Sequence, residues 1–199
     1  MRYNTGNFIG QFETILSVNK TRERDGRGAP FFVMQKRSKA MAHGAMIAAL
    51  YVLLTYLQNF IFPNSASGAI QFRASEALCV LALFTPNAIW GLSVGCLLFN
   101  LSLAGALPLD PVCGTLATLL ATWGMYTTRK LCILGIPLPA LILPAFFNAL
   151  IVGWELTVYI GYSYWFNFGC VALGELGVLF TLGLALYLGI RKRGLNRLF

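Results

Sequence analysis

The apolar middle of this sequence contains a small set of polar side chains that could bind a ligand. Residues 40–190 hold only three basic and four acidic residues. Ionisable groups are costly in a hydrophobic medium and usually mark a functional site there. Glu155 and Glu175 have no basic residue three or four positions away, so each would pay a desolvation cost if it stayed without a partner. The candidate substrate-binding residues are Arg73, Glu76, Asn100, Asn148, Trp154, Glu155 and Glu175.

The spacing of Asn148 and Glu155 suits recognition of a flat heterocycle. Seven residues of α-helix place the two side chains on one face, about 10 Å apart along the axis. A carboxylate and a carboxamide can hydrogen-bond to a ring edge, and Trp154 is next in sequence to Glu155 and could stack on the ring. This set favours a ligand that is rich in N–H donors.

Structural roles are open for several of these residues. Outer aromatic residues such as Trp165 often form the aromatic belt of a membrane protein. Arg73 and Glu76 are three residues apart and can pair with each other. Asp110 precedes a proline at a predicted helix start, where an N-cap is as good an interpretation as a functional carboxylate.

Small residues recur at four-residue spacing near the start of the apolar block. Such a strip lets a second helix approach closely, either from a partner subunit or from within the same chain. The candidate partner-docking residues are Ala40, Gly44, Ala45, Ala48 and Ala49, with His43, the only histidine, beside them.

The sequence does not indicate catalysis. The run from Gly91 to Gly95 matches G-x-S-x-G, but a nucleophile elbow needs a strand–turn–helix, and this run lies inside a predicted helix. The five cysteines form no C-x-x-C pair, as expected of buried free thiols. No G-x-x-x-x-G-K-[ST] motif occurs, so the chain has no P-loop to hydrolyse ATP. We expect no enzymatic activity, no metal and no cofactor.

Composition identifies the medium that surrounds these residues. The 199 residues are 57% apolar and only 11% charged, whereas a soluble domain carries about 25% charged residues. The net charge of +8 comes from the two ends, because residues 1–39 hold eight basic and three acidic residues and residues 191–199 hold four basic residues. Basic residues that flank an apolar block do not form the single exposed basic face of a nucleic-acid binder.

The apolar block predicts an all-α membrane protein with six transmembrane helices, because each span needs about 20 residues. We expect a polar cytoplasmic arm over residues 1–39, a membrane domain over 40–190 and a basic tail over 191–199. The predicted spans are 40–62, 74–84, 87–104, 110–128, 139–160 and 165–190.

Basic residues set the predicted orientation. The arm before span one, Arg129 and Lys130 after span four, and the three basic residues after span six share one side of a six-span protein. The positive-inside rule makes that side cytoplasmic, with both termini there. The four acidic residues of the block then lie in the outer half or at its rim, which predicts a pocket that opens outward.

Four stretches of the sequence resemble the QueT family, and the resemblance covers residues 40–190. They are AIQFRASEALCVLALFTPNAIWGL at 69–92, DPVCGTLATLLA at 110–121, FFNALIVGWEL at 146–156 and ALGELGVLFTLGLAL at 172–186. The family comprises substrate-binding S components of energy-coupling factor (ECF) transporters, proposed to import queuosine precursors.

The resemblance implies an S-component bundle with an outward pocket. It places Arg73, Glu76, Asn148, Glu155 and Glu175 in that pocket, and Ala45 and Ala49 on the strip that docks a membrane coupling subunit. Two cytoplasmic ATPases would supply the energy, and the substrate would be a precursor such as 7-aminomethyl-7-deazaguanine. The alternatives are an S component for another vitamin or nucleobase, a small non-transporting membrane subunit, or an intramembrane enzyme.

Overall fold

The computed structural model describes residues 29–63, 72–103, 107–133 and 135–194, and this part of the chain is helical. It has no strand there beyond an isolated bridge between Ile133 and Ile136. The predicted all-α class is therefore confirmed for these residues. The helices are α1 (Ala29–Ile61), a 3₁₀-helix (Ala74–Leu83), α2 (Asn87–Ser102), α3 (Asp110–Thr128), α4 (Leu138–Ile160) and α5 (Tyr164–Lys192).

The chain divides into two compact units, residues 1–42 and 43–199, and the contacts below belong to the second. Residues 1–28 of the predicted arm and 195–199 of the predicted tail lie outside the described residues. Helix α1 begins at Ala29, well before the predicted span start at Ala40. Residues 34–37 are Met, Gln, Lys and Arg, which are strong helix formers, so the helix extends beyond its apolar part.

Three of these helices are long and apolar enough to cross a membrane: α1 over Arg37–Ile61, α4 and α5. The 3₁₀-helix has ten residues, and a rise of about 2.0 Å per residue gives it a reach of about 20 Å. A hydrocarbon core is about 30 Å thick, so this element is short for a complete span. The six spans and the side of the termini remain predictions.

The 3₁₀-helix forms the centre of the larger apolar core. Every residue from Ser75 to Leu83 is buried, and a 3₁₀-helix of ten residues is itself unusually long. An element that is apolar on all sides must be enclosed by its neighbours. Its neighbours in this core come from α1, α2, α3, α4 and the end of α5, and include Tyr51, Leu92, Met125, Leu141 and Tyr187.

Short connections fold α3, α4 and α5 into neighbouring antiparallel helices. Gly161 ends α4 with a φ of 83°, a left-handed conformation that favours glycine, and α5 begins three residues later. At the other end, Arg191 Nη1 donates to the carbonyl oxygen of Gly135 in the α3–α4 connection at 2.6 Å. The α3–α4 connection, which begins with Arg129 and Lys130, and the basic end of α5 therefore lie together.

One turn of α5 is a π-helix, over Leu179–Gly183. The extra residue in this turn changes which side chains face the core: Glu175 and Val178 are buried before the turn, Leu179 and Gly183 are buried within it, and Tyr187 is buried after it. A regular α-helix would not keep both halves in register with the bundle. The π turn therefore lets Glu175 and Tyr187 face inward on the same helix.

Small residues bring α1 and α2 into close contact. A Cβ added at Gly91 would lie 2.6 Å from the carbonyl oxygen of Gly44, and one at Gly95 would lie 2.9 Å from that of Ala48. Gly44 and Ala48, two of the predicted docking residues, therefore pack within the chain. Ala45 and Ala49 are exposed, and Ala40 lies in the first unit. The G-x-S-x-G run is part of this helix contact.

This packing predicts that Gly91→Ala destabilises the protein. The new methyl group would meet the backbone of α1, so the helices must separate, at a cost of about 1–3 kcal/mol. Thermal unfolding in detergent measures the loss as a lower midpoint. Gly169→Ala is the matched control, because that helical glycine has open space within 4 Å. Equal midpoints for the two variants would contradict the close contact.

Candidate functional site

Six polar side chains from five helices or their ends converge at one end of the bundle, and none is more than 5% exposed. Arg73 precedes the 3₁₀-helix, and Asp110 begins α3. Asn100 is near the end of α2, and Glu155 is near the end of α4. The basic end of α5 and the α3–α4 connection, which begins with Arg129 and Lys130, lie at the opposite end. The polar cluster consists of Arg73, Glu76, Asn100, Asp110, Glu155 and Glu175.

Glu76 accepts hydrogen bonds at both carboxylate oxygens. The hydroxyl of Tyr51 on α1 donates to Oε1 at 2.7 Å. The thiol of Cys79, one turn further along the 3₁₀-helix, donates to Oε2 at 3.0 Å. The Glu76 carboxylate is therefore held in place by donors of this chain. The sequence reasoning missed Tyr51, since a tyrosine within an apolar helix gives little signal by itself.

Arg73 is the basic member of the polar cluster. It lies close enough to Glu76 and Asp110 for electrostatic interaction, and it interacts in the same way with Glu155 and Glu175. Gly114 on α3 lies beside it and leaves room for the neighbouring Asn100 amide, because a Cβ there would lie 2.6 Å from Asn100 Nδ2. The one guanidinium of the cluster therefore interacts electrostatically with four carboxylates.

Asn100 and Asp110 form hydrogen bonds between the end of α2 and the start of α3. The Asn100 side chain donates to the main-chain oxygen of Asp110 at 3.0 Å. The Asp110 carboxylate accepts from the backbone N–H of Leu107 at 2.9 Å. The N-cap position of α3 belongs to Leu109, so Asp110 does not cap the helix as one interpretation of the sequence predicted. Both side chains instead form hydrogen bonds with the backbone at and just before the start of α3.

Glu155 differs from Glu76 because no described side chain donates to it with hydrogen-bond geometry, although the Cys113 thiol and Asp110 lie close to it. It is fully buried, and neither carboxylate oxygen has a hydrogen-bond partner among the described residues. Its neighbours include Asp110 and the thiol of Cys113 on α3. A buried carboxylate without donors is unfavourable by several kcal/mol. Such a group is suited to a ligand that brings its own donors.

Other buried polar atoms of α4 and α5 also have no partner. Asn148 Nδ2, Asn167 Oδ1 and Glu175 Oε2 are buried and make no hydrogen bond within the described residues. Asn148 shares the buried face of α4 with Glu155, as the seven-residue spacing predicted. Asn167 was not among the candidates; its amide nitrogen donates to Thr157 Oγ1 at 3.1 Å, which orients it.

Trp154 does not join these residues. Its side chain is 52% exposed, whereas that of Glu155 is fully buried. Consecutive residues of an α-helix point about 100° apart, so the aromatic ring cannot share the buried face of its neighbour. Trp165 is likewise 75% exposed. The predicted stacking by Trp154 therefore has no support in this geometry.

The side chains of the site determine which kind of ligand it suits. Within the described residues, no three His, Cys, Asp or Glu side chains are grouped so as to hold a metal ion. The unpartnered atoms comprise more acceptors than donors, because Glu155 contributes two oxygens. The site is suited to a ligand that brings several N–H groups or a positive charge.

The family model described as "QueT transporter" matches residues 41–192, which is most of the chain and includes every residue of the polar cluster. No curated protein and no solved structure matches the chain.

Proposed function

Because this chain belongs to the QueT transporter family, we propose that it is the membrane-embedded substrate-binding S component of an ECF-type importer. A transporter component must lie in the membrane, and three of its helices are long and apolar enough to cross one. It must also hold a substrate, and Glu155 is the single observation that supports this best. A fully buried carboxylate with no hydrogen-bond donor among the described residues can accept hydrogen bonds from a ligand.

The proposed substrate is a queuosine precursor such as 7-aminomethyl-7-deazaguanine. The family resemblance suggests this molecule, and the charge of the site supports it. Glu76, Asp110, Glu155 and Glu175 face only Arg73 in the polar cluster, a formal charge of −3. The precursor carries an ammonium group and a guanine-like edge with adjacent N–H groups. A different vitamin or nucleobase with the same features is the alternative.

The proposed partners are a membrane coupling subunit and two cytoplasmic ATPases. The sequence has no P-loop of its own, so energy for accumulation must come from other chains. Ala45 and Ala49 on α1 are exposed and small, and they offer a surface where a partner helix can approach closely. Both termini are proposed to be cytoplasmic, which puts the polar cluster at the outer end of the bundle.

Ligand identification by mass spectrometry tests the proposal. The full chain, purified in detergent from cells supplied with queuosine precursors, should carry a deazaguanine that is released on denaturation. A different bound vitamin or base would support the alternative substrate. An intramembrane enzyme would release a converted product, and a purely structural subunit would carry no small molecule, so either result would contradict the proposal.

Cys113 allows binding to be detected by chemical protection. Its thiol is 7% exposed and lies beside Glu155. We expect methylmercury to modify it about tenfold more slowly when 7-aminomethyl-7-deazaguanine is present at ten times its Kd, because only the free site reacts. Cys132, which is exposed, is the control and should react at the same rate throughout. Equal rates at Cys113 with and without ligand would place the ligand elsewhere.

A further inference from the structure

The carboxylates of the polar cluster fall into two classes that the sequence does not distinguish. Glu76 already accepts from Tyr51 and Cys79, one donor at each oxygen. Asp110 accepts from the backbone N–H of Leu107. A ligand that used either residue would have to displace donors that the chain itself provides. These two carboxylates therefore stabilise the site, and the Glu76 group also places negative charge beside Arg73.

Glu155 is the carboxylate for which both oxygens lack a partner among the described residues. An apolar cluster from α3, α4 and α5 packs on its helix, with Val152 and Leu156 close in sequence and Ala117 and Val171 opposite. Water is a poor competitor in such surroundings, so a ligand donor gains more there than at the surface. Two free oxygens of one carboxylate match two parallel N–H groups, as they do for a guanidinium.

We propose that Glu155 binds the edge of the substrate that carries two adjacent N–H groups, and that Asn148 donates to an acceptor of the same molecule. This inference rests on the proposed function, and it assigns recognition of the ring edge to Glu155. On a guanine-like ring the two donors are the ring N–H and the exocyclic amine beside it. Asn148 Nδ2 is an unpartnered donor on the same helix face. Glu76 has no direct contact with this edge.

Pairing a protein variant with a ligand variant tests this assignment. The ligands are 7-aminomethyl-7-deazaguanine and its 7-deazahypoxanthine analogue, which lacks the exocyclic amine. Wild-type protein should bind the analogue about ten- to a hundredfold more weakly, because a hydrogen bond to a buried charged group is lost. Glu155→Gln should bind the parent ligand more weakly by a similar factor and should discriminate less than about threefold between the two.

Glu76→Gln is the matched control, since it also removes one buried carboxylate charge next to Arg73. Its affinity for both ligands can fall, but the ratio of the two affinities should stay at the wild-type value. Glu155→Asp keeps two oxygens and the charge, and should retain most of the discrimination, which covers the case that Glu155→Gln does not fold. An unchanged ratio in Glu155→Gln, or a ratio lost equally in Glu76→Gln, would overturn the assignment. Wild-type protein that binds neither ligand would instead contradict the proposed function.

Discussion

Ala49→Trp is expected to abolish substrate uptake by the assembled transporter and to leave substrate binding by the purified chain nearly unchanged. Ala49 is exposed on α1, one turn after Ala45, whereas Gly44 and Ala48 face α2 within the chain. The indole would therefore project away from the bundle into the space where the proposed coupling subunit would dock. Close approach of helices in a membrane depends on small residues, so this bulk blocks docking.

Uptake into liposomes that contain the complete transporter measures this effect. Leu50→Trp is the matched control, because Leu50 is already large and exposed and points about 100° away from Ala49. It should transport at the wild-type rate. The chain alone, in liposomes without ATPases, should accumulate no substrate. Normal assembly and uptake by Ala45→Trp and Ala49→Trp would show that the exposed part of the strip docks no partner.

Glu175→Gln is expected to weaken binding of 7-aminomethyl-7-deazaguanine by about ten- to a hundredfold. Glu175 is 1% exposed, and its Oε2 has no partner among the described residues. If Glu155 binds the ring edge, Glu175 is the remaining carboxylate that can receive the aminomethyl ammonium group. A charge-assisted hydrogen bond of about 1.5–3 kcal/mol corresponds to this loss of affinity.

The loss should depend on the ligand. Glu175→Gln should bind 7-deazaguanine, which lacks the aminomethyl group, about as well as wild-type protein does. Asp110→Asn is the control and should weaken binding less, because an asparagine oxygen can still accept from the N–H of Leu107. Calorimetry on the purified variants provides the comparison. An equal loss for both ligands in Glu175→Gln would show a role other than recognition of the amine.

Much of the helical architecture could be predicted from hydropathy and turn residues. The predicted fourth span, 110–128, coincides with α3, and the fifth and sixth agree with α4 and α5 within two residues at each end. Apolar length and Gly or Pro at the boundaries are sufficient for such elements. The same signals cannot distinguish a 3₁₀-helix from an α-helix, because Ala74–Leu83 is apolar in either form. The π turn in α5 likewise has no signature in composition.

The candidate site was predictable as a group but not in its internal roles. Polar residues in an apolar block are conspicuous, and Arg73, Glu76, Asn100, Glu155 and Glu175 do lie near one another or near Asp110. Which carboxylate has donors depends on contacts between distant residues, such as the hydroxyl of Tyr51 on Glu76. The different exposures of Trp154 and Glu155 depend on which face of α4 is packed. Spacing within one helix does not specify its neighbours.

Titration with 7-aminomethyl-7-deazaguanine tests substrate capture by the polar cluster most directly. The purified wild-type chain is titrated first, and Glu155→Gln and Glu175→Gln are then titrated in the same way. Wild-type protein should bind one ligand per chain, and each glutamine variant should bind about ten- to a hundredfold more weakly. Unchanged affinity in both variants, or no binding by the wild-type chain, would contradict a substrate site built on these two carboxylates.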